Sequence, residues 1–372
     1  MKIAFDHQIF MLQSYGGISR YFTCLAQGLH DLQQNIQIFA ALHRNSYLPL
    51  LPGSVVNGHN LEKYPAKTAR LFYALNHLFA THQISKWHPD LVHETYYSRL
   101  STTPKGCKTI VTVHDMIHEL FPGDFLQSDN TRKKKQKAIE RSDHVICVSE
   151  NTKFDLIRLY GIDVNKITVI HLGFDQLAHF NTDARVSPSF NKPYLLYVGN
   201  RDGYKNFLAF VKSFASSKHL CHDFDIVAFG GGKFTPDELK NIQTLGVNHQ
   251  KVRHVGGDDH LLGQYYQYAS AFIYPSLYEG FGIPPLEAMA HGCPVISSHT
   301  SSMPEVIGQA AEFFDPRQTE SMCLAIENVV YSETRSSALR QLGAGRLNAF
   351  SWKKCTEKTL AVYRSVSQTS GC

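Results

Sequence analysis

The residues best suited to chemistry lie in the run Tyr274-Pro-Ser-Leu-Tyr-Glu279-Gly-Phe-Gly-Ile-Pro-Pro-Leu-Glu287-Ala-Met-Ala-His-Gly292. An apolar stretch ending at Tyr274 reads as a strand and a glycine loop follows. The pattern then predicts a helix that begins near Pro284 and stops at Gly292. Backbone N–H groups at such a helix start suit a phosphate or diphosphate, and Gly280 and Gly282 let a ligand come close. Glu279 in the loop and Glu287 inside the helix are within reach of one bound ligand. Carboxylates repel phosphate, so these two are better suited to accept hydrogen bonds from the hydroxyls of a sugar or ribose. A lone glutamate on such a unit is ordinarily a solvated surface acid. Here loop, glycines and spacing coincide, which argues for a site.

Other candidates stand just after apolar runs. Gly199-Asn-Arg201-Asp-Gly-Tyr-Lys205-Asn206 follows a strand-like Tyr194 to Val198, and Ile110-Val-Thr-Val-His114-Asp115 places a histidine directly after another. Gly16-Gly17 separates a first strand from a first helix. Gly230-Gly-Gly232 lacks the spacing and downstream acid of a dinucleotide fingerprint, which excludes a nicotinamide cofactor. Asp258-Asp259 opens a predicted helix and is read as a cap rather than a metal pair. Asp223-Phe-Asp225 stands at a strand entrance.

The segment from Glu279 to Glu287, continuing to Gly292-Cys-Pro-Val295, resembles the E-x7-E signature of the retaining, nucleotide-sugar-dependent glycosyltransferases of family 4. That family has the GT-B fold of two facing Rossmann-like domains. The resemblance implies that Glu279 contacts the donor sugar and acts at the reacting centre, and that Glu287 binds the ribose. It implies further that the amides of Phe281, Gly282 and Ile283 meet sugar and diphosphate. Arg201 and Lys205 are similar to the pair that neutralises the diphosphate. Fixed cations there stabilise a leaving group as it gains charge. His114 matches a histidine near the donor sugar, and Gly16 and Gly17 match small residues that let substrate approach the backbone. The reaction implied is front-face transfer with retention, the leaving diphosphate helping to deprotonate the acceptor. It needs no metal and no cofactor. Tyr197 to Asn206 looks most like bacterial mannosyltransferases of surface polysaccharide and lipopolysaccharide synthesis, implying GDP-mannose as donor. A UDP-sugar donor such as UDP-glucose, and a catalytically silent nucleotide-sugar or glycan-binding module, are the alternatives.

These residues require an α/β scaffold. Strands are predicted at Lys2 to Phe5, Ile36 to Ala40, Leu91 to His93, Thr109 to Val113, Val145 to Val148 and Ile167 to Ile170. A second series follows at Tyr194 to Val198, Asp225 to Phe229, Val252 to Val255, Ala271 to Tyr274, Val295 to Ser297 and Glu312 to Phe314. Helical stretches separate most of them. Ile18, Tyr21, Phe22, Leu25 and Leu29 share one helical face, and Thr235-Pro-Asp-Glu238 reads as a capping box. Hydrophobic periodicity lapses over 175–193, and the polar segment 181–193 within it, with two prolines, is the best linker. The expected organisation is an acceptor domain over 1–185, a nucleotide-sugar domain over 186–350, and a helix within 351–372 that crosses back to the first. Ligands of open α/β sheets bind beyond the carboxyl ends of the strands, where these candidates stand.

Composition agrees. The 372 residues suit two domains, and 43% hydrophobic with 19% charged residues suits globular cores rather than disorder. A net charge of +5 is far short of that of a nucleic-acid binder. No signal peptide and no spanning segment is read, so a cytoplasmic protein is expected. Eight scattered cysteines suggest reduced thiols in packed cores, not a zinc site or disulfide framework. Residues 64–79, with Leu71, Leu75, Leu78 and Phe79 on one stripe near Lys67 and Arg70, form either a core helix or one that lies on an anionic bilayer. The basic run 132–137 is either a solvated face or a lipid-phosphate contact. The expected partners are a nucleotide-sugar donor and a glycan or lipid-linked glycan acceptor, with peripheral contact at the cytoplasmic face of the inner membrane.

Overall fold

A computed structural model describes residues 1–61, 63–174 and 192–368. The expected domain boundary at 185 and all but the last two residues of the expected linker lie outside these. The chain divides into two compact units. Unit 1 holds Met1–Leu120, Phe125–Gly173 and the described residues from Ser351 onward; unit 2 holds Phe121–Asp124 and the described part of Phe174–Phe350.

Unit 1 contains β1 (Lys2–Phe5), β2 (Asn35–His43), β3 (Val56–Asn60), β4 (Leu91–Glu94), β5 (Lys108–Val113), β6 (His144–Cys147) and β7 (Ile167–Val169), all parallel, in the order β3-β2-β1-β4-β5-β6-β7. Unit 2 contains β8 (Tyr194–Val198), β9 (Asp225–Phe229), β10 (Val252–Val255), β11 (Ala271–Tyr274), β12 (Val295–Ser298) and β13 (Ala311–Phe314), also parallel, in the order β10-β9-β8-β11-β12-β13. Covering helices bury both faces, so strands such as Asp225–Phe229 are buried along their whole length. In unit 2 the helix Phe207–Ser216 sets Phe207, Phe210 and Phe214 against Leu195, Tyr197 and Ile226. In unit 1 the helix Gly17–Asp31 buries Tyr21, Phe22, Leu25 and Leu29.

The helix Trp352–Gln368 lies against Gly17–Asp31 within unit 1. A Cβ on Gly28 would come within 2.5 Å of Thr356 Oγ1, so that crossing is close. Tyr363 Oη meets His93 Nδ1 at 2.5 Å, and His93 Nε2 meets Thr112 Oγ1 at 2.9 Å.

Three expectations change. The strand β3 was not predicted, because Val-Asn-Gly-His-Asn offers one apolar residue to an edge position. Leu71, Leu75 and Leu78 are exposed on the helix Ala69–Trp87, whose buried face is Asn76, Ala80 and Ile84, so the leucine stripe is not a core face. The run 132–137 is not uniformly solvated: Lys135 is fully buried, donating to Glu119 Oε2 at 2.7 Å and to the Asp115 carbonyl at 2.8 Å. Asp258 caps its helix through Leu261 N as expected, and Thr235 and Glu238 form the capping box. Asp225 is paired with Arg253 and Lys251. None of the seven described cysteines forms a disulfide, and Cys147, Cys293 and Cys355 are buried. No helix among the described residues is long and apolar enough to cross a membrane.

Unit 1 carries an acid sensitivity. Burial pushes the imidazoles of His7, His43 and His114 down to about 4 and that of His93 to about 3. The unfolded chain binds these protons near pH 6.5, so between pH 6.5 and about 4 it takes up protons that the folded state refuses. Stability falls as pH falls through that window, and at pH 5 unfolding should load these four rings with roughly three to four protons. Urea midpoints measured across the window test this; a flat profile contradicts it.

Candidate functional site in the second unit

Strand order reverses direction between β8 and β11, which pair at Leu195 with Ala271 and Leu196 with Phe272. The loops after these neighbouring strands therefore emerge side by side at a topological switch point. Lys205 comes from the first loop and Glu279 from the second, and Lys205 Nζ donates to Glu279 Oε1 at 2.7 Å. Glu279 is 8% exposed.

The two loops are laced together. Leu277 N donates to the Tyr204 carbonyl at 2.7 Å, and Asn206 Nδ2 donates to the carbonyls of Pro275 and Pro316. A third loop, after β12, holds the glutamate from below: Glu279 N donates to Ser301 Oγ at 2.9 Å, and Ser302 Oγ donates to the carbonyls of Glu279 and Phe281. Asn206 and Ser301 hold left-handed backbones with φ of 59° and 53°. Such residues cost about 1–3 kcal/mol each and tend to cluster at functional sites.

The following helix runs Ile283–Ala290 with Gly282 as its N-cap. Gly282 has φ 101°, a conformation that requires glycine, and the Met303 side chain packs into the space a Cβ would take. Pro284 and Pro285 carry no N–H. Backbone donation at this end is thereby confined to the loop side, which includes Phe281, Gly282 and Ile283. Glu287, half-buried, accepts from Tyr266 Oη at 3.3 Å. Phe281 packs edge-on against Phe350. Gly292, with φ 67°, closes the helix.

Arg201 is placed differently from Lys205. Its guanidinium is nearly buried and lies 4.5 Å over the ring of Phe234. Nε donates to Glu238 Oε1 at 2.6 Å, Nη1 to the Gly230 carbonyl, and Nη2 to the carbonyls of Gly231 and Lys233 and to Glu238 Oε2. All three nitrogens thus bond protein acceptors. Gly230, Gly231 and Gly232 all have positive φ, and two of the turn's carbonyls receive this guanidinium. The triple glycine therefore forms a binding turn for Arg201. Sequence reasoning missed both ion pairs, because the partners lie 37 and 74 residues apart.

The remaining candidates belong to unit 1. His114 follows β5, packs edge-on to Tyr21 at 5.3 Å, and has a buried Nε2 with no partner among the described residues. Burial holds this ring at about 4, with Asp115 opposing and Lys135 assisting, so it is neutral at neutral pH. Gly16 is the N-cap of the helix Gly17–Asp31, and a Cβ there would strike Gln13 Oε1 at 2.5 Å. A Cβ on Gly17 would meet nothing within 4 Å.

Residues 15–176 match the family model described as Glycosyltransferase Family 4, and residues 180–344 match that of Glycosyl transferases group 1. The chain is 25% identical to the O-antigen chain mannosyltransferase B of Escherichia coli, over 69% of this chain and 70% of that protein. It is 26% identical to the O-antigen chain mannosyltransferase RfbU of Salmonella typhimurium, over 84% of this chain and 87% of that one. Among solved structures, the sucrose-phosphate synthase from Thermosynechococcus elongatus superposes with a TM-score of 0.78 at 21% identity, covering 100% of both chains.

Proposed function

Because the chain belongs to glycosyltransferase family 4, with the two-domain GT-B fold, and resembles bacterial mannosyltransferases, we propose that it transfers mannose from GDP-mannose, with retention, to a hydroxyl of a glycan or lipid-linked glycan. The Lys205–Glu279 pair carries this reading. It sets a cation suited to a departing diphosphate beside a carboxylate suited to sugar hydroxyls, on neighbouring loops at the switch point. In the reaction, the bond between the anomeric carbon and the diphosphate oxygen breaks as the acceptor oxygen approaches the same face. The acceptor proton passes to the departing diphosphate, so no protein base is assigned. Lys205 stabilises the charge that the diphosphate gains, and Glu279 holds the sugar and stabilises its developing positive charge. Glu287 accepts from the ribose hydroxyls. The amides of Phe281, Gly282 and Ile283 donate to the sugar and diphosphate, and neutral His114 positions the sugar. Arg201, committed to Glu238 and the glycine turn, supports the loop that carries Lys205.

Acceptor-free donor hydrolysis followed by proton NMR tests this reading, with water standing in for the acceptor. The expected result is slow hydrolysis of GDP-mannose in preference to UDP-glucose, the first sugar released being the α anomer. Release of the β anomer first contradicts retention. Preferential use of UDP-glucose overturns the mannose assignment, and absence of hydrolysis of either donor favours a silent binding module.

A further inference from the structure

The helix Thr131–Arg141 turns Lys135 inward beside Ala138 and Ile139, so a lysine takes a position on a core face. Its ammonium donates to Glu119 Oε2 at 2.7 Å and to the Asp115 carbonyl at 2.8 Å. It also stands 3.7 Å from Asp115 Oδ1 and lies 5.4 Å over the ring of Tyr97. The Lys135 side chain is 0% exposed and that of Glu119 1%. Taking two charges out of water is costly, and a well-packed apolar pair in the same volume is often as stable or more so. Packing alone therefore gives no reason for an ion pair here.

The ammonium acts on the turn that carries His114. On one side of that residue, His114 N donates to Tyr97 Oη at 3.3 Å, and Tyr97 Oη donates to the Thr112 carbonyl at 3.4 Å. On the other side, Lys135 holds the Asp115 carbonyl, and Ile117 N donates to Asp115 Oδ1 at 3.0 Å. The backbone is thus tied immediately before and immediately after the imidazole. The ring itself rests edge-on against Tyr21 and Phe22, at 5.3 and 6.2 Å. Its buried Nε2, with no partner among the described residues, is held in place with its hydrogen-bonding capacity open.

Glu119 anchors the ammonium in turn. Its second oxygen, Oε1, accepts from Tyr160 Oη at 2.7 Å, at the end of the helix Glu150–Tyr160. Both carboxylate oxygens are therefore bonded, and three elements converge on the turn after β5. A methionine in place of Lys135 would fill the volume but could not bond the Asp115 carbonyl.

We infer that Lys135, held by Glu119, is a positioning residue for the sugar contact proposed at His114: its ammonium fixes the turn after β5 and with it the direction of the imidazole. The inference rests on the transferase reading, in which neutral His114 positions the donor sugar. Among the groups around the ring, Asp115 favours its protonation and Lys135 opposes it, while His93, Tyr21 and Tyr97 are buried and neutral at neutral pH.

The test replaces the pair, because Lys135→Met alone leaves Glu119 buried without its cation. Lys135→Met with Glu119→Gln removes both charges and keeps an oxygen for Tyr160 Oη. The full chain carrying both substitutions should melt close to the unsubstituted chain and bind GDP, which has no sugar, with the same affinity. Its hydrolysis of GDP-mannose should fall by about tenfold or more, the kind of loss that a displaced positioning group brings. In a His114→Ala background the same pair should cost no further rate, since the residue it positions is gone. Full rate in the paired variant, a loss shared by GDP affinity, or the same fold-loss in both backgrounds overturns the inference. A second readout needs no turnover: the titration of the His114 ring by proton NMR, its signals identified by their loss in His114→Ala. Removing the ammonium should raise that titration from about 4 by about half a pH unit or more. If the unsubstituted chain hydrolyses no donor, the transferase reading fails, and this titration decides whether Lys135 holds His114: a rise supports it and an unmoved ring overturns it.

Discussion

Lys205→Ala is expected to lower the transfer rate by about 10²–10³-fold, the loss typical of removing one group that stabilises charge in a transition state. The ammonium is the cation nearest Glu279, 2.7 Å from Oε1, and is part-exposed in a loop held by its own backbone bonds. Its removal should therefore cost stability only about 1–2 kcal/mol, through the carboxylate that loses its ammonium partner and keeps the Tyr274 hydroxyl. A competing explanation is that Lys205 merely neutralises Glu279. Combining Lys205→Ala with Glu279→Gln separates the two, since neutralisation alone predicts that the double variant regains rate. The proposed roles predict that it does not, because the diphosphate still lacks its cation and the sugar has lost its carboxylate.

Arg201→Ala is expected to act mainly on stability. The guanidinium bonds Glu238 and three carbonyls at once, and truncation removes this donor from the carbonyls and leaves Glu238 only its capping-box bond from Thr235 N. Breaking such a pair costs about 3 kcal/mol, the low end for buried ion pairs because Glu238 keeps some exposure. For a unit of this size that is a fall of about 6–12 °C in the melting temperature. Lysine should not rescue it, since an ammonium cannot reproduce the planar fork that bonds a carboxylate and three carbonyls together. An unchanged melting temperature with nucleotide binding lost would instead make Arg201 a phosphate ligand.

The contrast between these two residues shows where sequence reasoning stops. Both basic residues were visible in one loop, and a loop of that kind after a strand suggests a shared role. They differ in the partner each finds, Glu238 for Arg201 and Glu279 for Lys205, and no local pattern encodes that. Thr235 to Glu238 was readable as a capping box because its hydrogen bonds are three residues apart. The second duty of Glu238, toward Arg201, was not.

The scaffold was more legible than the site. Central strands such as Tyr194–Val198 and Ala271–Tyr274 are continuous apolar runs, since burial on both faces demands them. The strand Val56–Asn60 sits at an edge, where pairing on one side suffices and polar residues are tolerated, so its signal was weak. Lys135 gave no sign of burial within Arg-Lys-Lys-Lys-Gln-Lys. The groups that receive it, Glu119 and the Asp115 carbonyl, come from the preceding loop and short helix.

The central claim is that the loops after β8 and β11 bind a nucleoside diphosphate sugar. The most direct measurement is the melting shift of the full chain with GDP, UDP, ADP and their sugar conjugates, beside Glu287→Ala and Lys205→Ala. A ligand at a hundred times its Kd stabilises the native state by about 2.7 kcal/mol. The account predicts a clear shift with GDP and GDP-mannose that both substitutions weaken, Glu287→Ala through the ribose and Lys205→Ala through the diphosphate. No shift with any nucleotide, or a shift that both substitutions leave intact, would contradict it.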